Sequence, residues 1–252
     1  MKQHFVETSN YRQFMAAVAA VENRGSPEAC ILLLTGDPGT GKSCTVDNWG
    51  AQRDAIYLEG VPGMSLAFLR DYLADQTGIV GHGKFGQYKG MVEFFRSNHQ
   101  PIILDEAQHG LPNKAECIEY LRRIAEQANT LLVLICHTSE KHRFGEHRLA
   151  HVATRVSAAP ELKTASVDDC LVYLTALCEV SVDHSIAQLV HAQSGGRYRL
   201  MSNAGRTLEA IAGKKGVASL TAADIKGIRL CEDAMKSLKR AKGICPGTGE
   251  AK

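Results

Sequence analysis

No stretch of this 252-residue sequence approaches the roughly 20 apolar residues that a helix needs to cross a bilayer. The opening Met-Lys-Gln-His-Phe lacks the apolar core of a signal peptide. A soluble, cytoplasmic protein without a membrane partner is therefore expected. There is little charge of one sign: the formal net charge is +2, too small to argue for nucleic acid unless the basic residues cluster. The eight cysteines stand singly, with no CxxC pair, which excludes a disulfide framework and favours reduced thiols in a chain large enough to need no covalent staples. His147 and His151 are four apart near His142, but no cysteine or carboxylate completes a zinc pattern. Internal repeats are absent. What is present is ordinary for a folded domain: 44% hydrophobic and 22% charged residues.

Local patterns suggest how the chain is organised. Thr8-Ser9-Asn10 can cap a helix carrying Phe14, Val18 and Val21, which should end before Gly25-Ser26-Pro27. Cys30 to Leu34 is continuously apolar, as in a parallel strand covered on both faces. Ser43 to Trp49 reads as the start of a helix, Ile56-Tyr57-Leu58 as a short strand, and Ser65 as the cap of a helix with Leu66, Leu69 and Leu73. Gly78 to Gly90, with five glycines and two lysines, is expected to be an exposed loop. A helix from Met91 to Ser97, a strand Pro101 to Leu104, a helix Ala115 to Asn129 and a strand Leu131 to Cys136 follow. This alternation predicts an α/β fold, a doubly wound parallel sheet, over residues 1–160.

Beyond Pro160 only helical patterns remain, so residues 161–242 should form a small helical domain. Ser166 to Asp169 and Thr221 to Asp224 both look like capping boxes. The second should open a last helix with Ile225, Ile228, Cys231, Met235 and Leu238 on one stripe. The tail 243–252 is expected to be disordered.

Two motifs carry chemistry. Gly36, Asp37, Pro38, Gly39, Thr40, Gly41, Lys42 and Ser43 satisfy G-x-x-x-x-G-K-[ST] between a buried strand and a helix, with Cys44 following. Glycines let successive N–H groups turn inward on phosphate oxygens at a helix N-terminus. Lys42 would reach the β and γ phosphates of ATP, and the Ser43 hydroxyl would ligate Mg2+. Ile102-Ile103-Leu104 ends in Asp105 and Glu106, delivering two acids to the ligand-binding end of the sheet. Asp105 would hold Mg2+ through water, and Glu106 would orient and deprotonate the attacking water.

With these motifs the sequence resembles the AAA+ superfamily from about Phe5 to Lys239, and the resemblance implies a P-loop fold whose C-terminal helical domain is a lid. It also implies further site residues. His137 stands where the superfamily has its sensor 1 residue, with Thr138 as the alternative. Arg155 resembles the arginine that clamp loaders offer to a neighbour's ATP, with Arg143 and Arg148 as competitors. Arg199, in better register than Arg197, fits sensor 2.

Phe5-Val6-Glu7-Thr8 before the first helix, the short interval to the phosphate loop, the Asp105-Glu106-Ala107-Gln108 wording and the compact lid resemble the B protein of phage Mu and the transposition ATPases of the TnsC and TniB kinds. That resemblance implies a homo-oligomer, ring or filament, with ATP at subunit interfaces. It would bind double-stranded DNA without sequence preference and recruit or stimulate a transposase. No counterpart of the helix-turn-helix domain that the Mu protein carries at its N-terminus is expected in these 252 residues. Lys84 and Lys89 are the candidate DNA contacts, and the basic residues Lys226, Arg229, Lys236, Lys239, Arg240 and Lys242 are compatible with them. The alternatives are a helicase or replication-initiator loader, an ExeA-like secretion ATPase, and a nucleotide-gated scaffold.

Overall fold

A computed structural model describes residues 1–2, 4–80, 83–146 and 149–232. Contacts divide the chain into two units, one of residues 9–163 and the other of residues 1–8 together with 164–252.

The first unit is a parallel sheet flanked by helices. β1 (Ile31–Gly36), β2 (Ile56–Glu59), β3 (Ile102–Asp105), β4 (Leu132–His137) and β5 (Val156–Ala158) lie in the order β2-β3-β4-β1-β5. The central strands β1, β3 and β4 are buried along almost their whole length, which is why they read as unbroken apolar runs. β6 (Glu161–Leu162) continues the edge beyond β5 and pairs with the end of β1. Pro160 interrupts this edge, and its carbonyl accepts the Thr35 N–H at 3.0 Å; an edge strand tolerates a proline where a central one does not. The edge was not expected from sequence because Val156 to Ala158 are only partly buried.

One face of the sheet is covered by α1 (Ser9–Glu22) and α2 (Lys42–Ala51), whose Phe14, Val18, Val46 and Trp49 pack on Leu32, Leu34, Ile103 and Val133. The other face is covered by α3 (Leu66–Thr77), α4 (Gly83–Asn98) and α5 (Pro112–Ala128), around Leu69, Leu73, Met91, Phe95, Ile118 and Leu121. Two short helices, α6 (Lys141–Phe144) and α7 (Ala150–Ala153), follow β4.

The glycine-rich stretch 78–90 corrects the expected loop, because Gly83 to Gly90 form the first two turns of α4. Tyr88, Met91, Val92 and Phe95 recur at helical spacing and pack inward. Gly90 leaves room for the Ile79 side chain, which a Cβ would meet at 2.9 Å. Its glycine is a packing device rather than a loop marker.

In the second unit α8 (Val167–Leu177), α9 (His184–Ser194) and α10 (Tyr198–Lys215) pack around Leu174, Ile186, Val190, Met201, Ala204 and Leu208. The capping box at Ser166 forms, with the Ser166 hydroxyl accepting the Asp169 N–H at 3.0 Å. Half of the second box forms, Asp224 accepting from the Thr221 N–H and hydroxyl at 2.8 and 2.7 Å, while the Asp224 N–H goes to the Thr221 carbonyl. Yet no helix grows from it within the described residues: residues 222–227 make turns. Gly227, at φ +76°, redirects the chain so that the Leu230 N–H donates to Gln193 Oε1 at 2.8 Å. The rest of the expected helix, with Met235, Leu238, Lys236, Lys239, Arg240 and Lys242, lies outside the described residues.

Candidate nucleotide site

The loop Gly36 to Gly41 joins β1 to α2. Gly39 and Gly41 take φ 87° and 86°, a left-handed backbone that costs other residues about 1 kcal/mol or more, and Gly41 caps α2. The loop is braced from within, the buried Thr40 hydroxyl donating to the Asp37 carbonyl at 2.8 Å. It is also braced from α1, where buried Asn10 donates through Nδ2 to the Thr40 carbonyl at 3.0 Å and the Lys163 carbonyl at 2.7 Å. Asn10 Oδ1 accepts the Lys163 N–H at 3.3 Å. The Lys42 ammonium folds over the loop, donating to the carbonyls of Gly36 at 2.6 Å and Asp37 at 3.3 Å. Burial lowers its pKa, an effect that the charges of Asp105 and Glu106 oppose.

β3 ends beside this loop. Asp105 is 8% exposed, and its carboxylate takes three donors. The Ser43 hydroxyl and the Tyr57 hydroxyl donate to Oδ2 at 2.8 and 2.7 Å, and the Glu106 N–H donates to Oδ1 at 2.8 Å. Glu106 is exposed and left-handed, at φ 49° and ψ 42°. Its carboxylate accepts Gln108 Nε2 at 2.5 Å. A non-glycine residue in this region stores strain of order 1 kcal/mol, and such strain concentrates at functional sites.

His137 closes β4 in register with Gly36. Its Nδ1 accepts the Ser139 N–H at 3.1 Å and lies 2.7 Å from the Ser139 hydroxyl. In the neutral ring the proton therefore sits on Nε2, 3.7 Å from the Asp37 carboxylate. Cys44 is exposed in the first turn of α2, directly after Ser43.

The structure thus brings Gly36 to Cys44, Asp105, Glu106 and His137 to one end of the sheet. Arg155 stands at the other end. Its carbonyl accepts the N–H of Ile31 at the start of β1, about 17 Å from the loop at the usual strand rise of ~3.3 Å per residue, and its guanidinium pairs with Glu28 at 3.1 Å. Arg143 pairs with Glu140 at 2.5 Å, and Arg148 and His147 lie outside the described residues. Arg199 is exposed in the first turn of α10, in the second unit. Lys84 and Lys89 are exposed on α4, so they sit on a helix rather than on the expected loop.

The donor set suits Mg2+: a serine hydroxyl and a carboxylate, hard oxygen ligands, already joined by a hydrogen bond. Ser43 and Asp105 could hold the ion, and Lys42 with the loop N–H groups could hold phosphates. Tyr57, Asn10 and Gln108 were not singled out from sequence. Asn10 read as one of three capping residues, and Tyr57 as a strand residue whose neighbour only the topology names.

A family model described as an AAA domain matches residues 27–144. No curated protein matches the chain. Among solved structures, Cdc6p from Pyrobaculum aerophilum is similar with a TM-score of 0.62 at 17% identity, over 98% of this chain and 71% of that one. The Aeropyrum pernix ORC2 protein, in ADPNP-ADP complexes, gives 0.64 at 17% identity over 89% and 69%. A P216G mutant of Thermotoga maritima RuvB gives 0.58 at 14% identity over 94% and 71%. The parallel sheet in the order β2-β3-β4-β1-β5, the matched AAA domain and these likenesses make this an AAA+ P-loop fold.

Proposed function

We propose that the chain is an ATPase that hydrolyses ATP to ADP and phosphate. The observation that carries this reading is the hydrogen bond from Ser43 to Asp105, which joins the phosphate loop to the acid-bearing strand with Lys42 alongside. Lys42 and the loop N–H groups bind the β and γ phosphates. Mg2+, when bound, neutralises developing phosphate charge. Glu106, once its carboxylate leaves Gln108, takes a proton from a water attacking the γ-phosphorus. The new P–O bond forms as the bond to the β-phosphate oxygen breaks. His137 senses the γ-phosphate from the tip of β4. Arg155 acts in trans, since its own phosphate loop is at the opposite end of the sheet, and Arg199 is the candidate sensor 2 residue.

The finer reading is an oligomer that binds double-stranded DNA without sequence preference, selects target DNA and recruits or stimulates a transposase. The sequence resemblance to the Mu B, TnsC and TniB kinds supports it. So does the placement of Lys84 and Lys89: residues 76–92 contain no acid, and both lysines are exposed on one short helical stretch. A replication-initiator-like ATPase is the second reading, favoured by the likeness in fold to Cdc6p and ORC2. No described helix is long and apolar enough to cross a membrane.

DNA binding tests the finer reading. Duplex affinity should require ATP and fall steeply with salt. The double variant Lys84→Ala, Lys89→Ala should weaken it about equally on unrelated sequences and flatten the salt slope by roughly 2. Unchanged affinity in the double variant removes α4 from DNA. Affinity purification in ATP then separates the readings by recovering either a transposase or a replicative helicase.

A further inference from the structure

Tyr57 enters this site from a strand that carries no motif. β2 and β3 are parallel, with Tyr57 opposite Ile103 and Glu59 opposite Asp105. Opposed residues of a parallel pair project to the same face, and positions two apart on a strand share that face. Tyr57 therefore lies on the face of Ile103 and Asp105, beneath α2, and its hydroxyl reaches diagonally to Asp105 Oδ2 at 2.7 Å. The same oxygen takes the Ser43 hydroxyl at 2.8 Å, and Oδ1 takes the Glu106 N–H at 2.8 Å. Side chains from α2 and β2 and the N–H of the next residue hold the carboxylate, two donors on Oδ2 and one on Oδ1.

We infer that Tyr57 is a positioning residue for magnesium, locking Asp105 so that its remaining lone pairs face the ion and its waters. This rests on the ATP and magnesium reading of the site. A carboxylate that holds a metal needs partners of its own to stay oriented, and removing one such partner typically costs about 10- to 100-fold in metal affinity. Ser43 cannot supply this alone, because its hydroxyl must also meet the ion. Tyr57 has no such second duty. Phosphate contacts do not pass through it, so nucleotide binding without metal should not depend on the hydroxyl.

The test uses the full chain, Tyr57→Phe, and a fluorescent N-methylanthraniloyl ADP as probe, first in EDTA and then with Mg2+ titrated in. Phenylalanine keeps the ring and removes only the donor. The expected result is an EDTA affinity within twofold of wild type and a half-saturating Mg2+ concentration raised about tenfold. Melting in EDTA, without nucleotide, should stay close to wild type. An unchanged Mg2+ midpoint overturns the assignment, and so does equal weakening with and without Mg2+, which would make Tyr57 a packing residue. A wild-type protein that ignores nucleotide, or binds it with no response to Mg2+, contradicts the underlying ATPase reading and this inference together.

Discussion

Gly60, directly after β2, offers a sharp test of how closely the acid-bearing strand is held. Its N–H donates to the Asp105 carbonyl at 2.8 Å. A Cβ added there would lie 2.5 Å from the Glu106 carbonyl oxygen and 3.0 Å from that of Asp105. Ordinary contact begins near 3.4 Å, so Gly60→Ala must move the Glu106 backbone by the better part of an ångström. Both atoms in the way are backbone, and neither can rotate aside. Overpacking of this kind costs about 1–3 kcal/mol of stability. Displacing a reacting group by about 1 Å can cost about 100-fold in rate. Gly60→Ala should therefore keep nucleotide binding, since the phosphate loop is untouched, while ATP turnover falls by about two orders of magnitude. Steady-state hydrolysis and probe-nucleotide binding on the same preparation check this. Turnover within threefold of wild type would refute the reasoning, because Glu106 would then not need the position it occupies.

Arg155→Ala and Lys42→Ala proteins should each be nearly inactive alone, yet regain part of the ATPase activity when mixed, because some interfaces pair an intact loop with an intact arginine. Mixed oligomers that stay inactive would take Arg155 out of the trans role and leave Arg143 or Arg148. Asn10→Ala removes three hydrogen bonds and leaves the Thr40 and Lys163 carbonyls short of a donor. At ~1 kcal/mol per net bond the loss is about 2–4 kcal/mol, or a melting point lower by roughly 5–15 °C in calorimetry. A melting point within 1 °C of wild type would contradict that bracing role.

The central strands were legible because burial on two faces imposes unbroken apolar runs, and both motifs stand out because their residues keep the fixed spacing that phosphate and metal binding would demand. The edge formed by β5 and β6 was not legible. It is short, half-buried and split by Pro160, so neither apolar continuity nor alternation marks it. The start of α4 was misread because glycines that admit a neighbouring side chain, as Gly90 admits Ile79, look the same in sequence as glycines that turn a loop. The box at Thr221 misled in the opposite sense: a capping motif predicts a first turn, and only the residues after it decide whether the turn continues. Tyr57 and Asn10 escaped notice because their importance depends on which strand and loop they face, a matter of topology.

The most direct test of the ATPase reading compares Lys42→Ala with Glu106→Gln for ATP binding and hydrolysis in Mg2+. Lys42 would contact two phosphates at ~1.5–3 kcal/mol per charged hydrogen bond, so its loss should weaken ATP by about 100-fold or more and abolish turnover with it. Glu106→Gln should bind ATP as wild type does and turn over about 100- to 10,000-fold more slowly, the usual contribution of a positioned base. Wild-type ATP affinity in Lys42→Ala, or undiminished turnover in Glu106→Gln, would contradict the account.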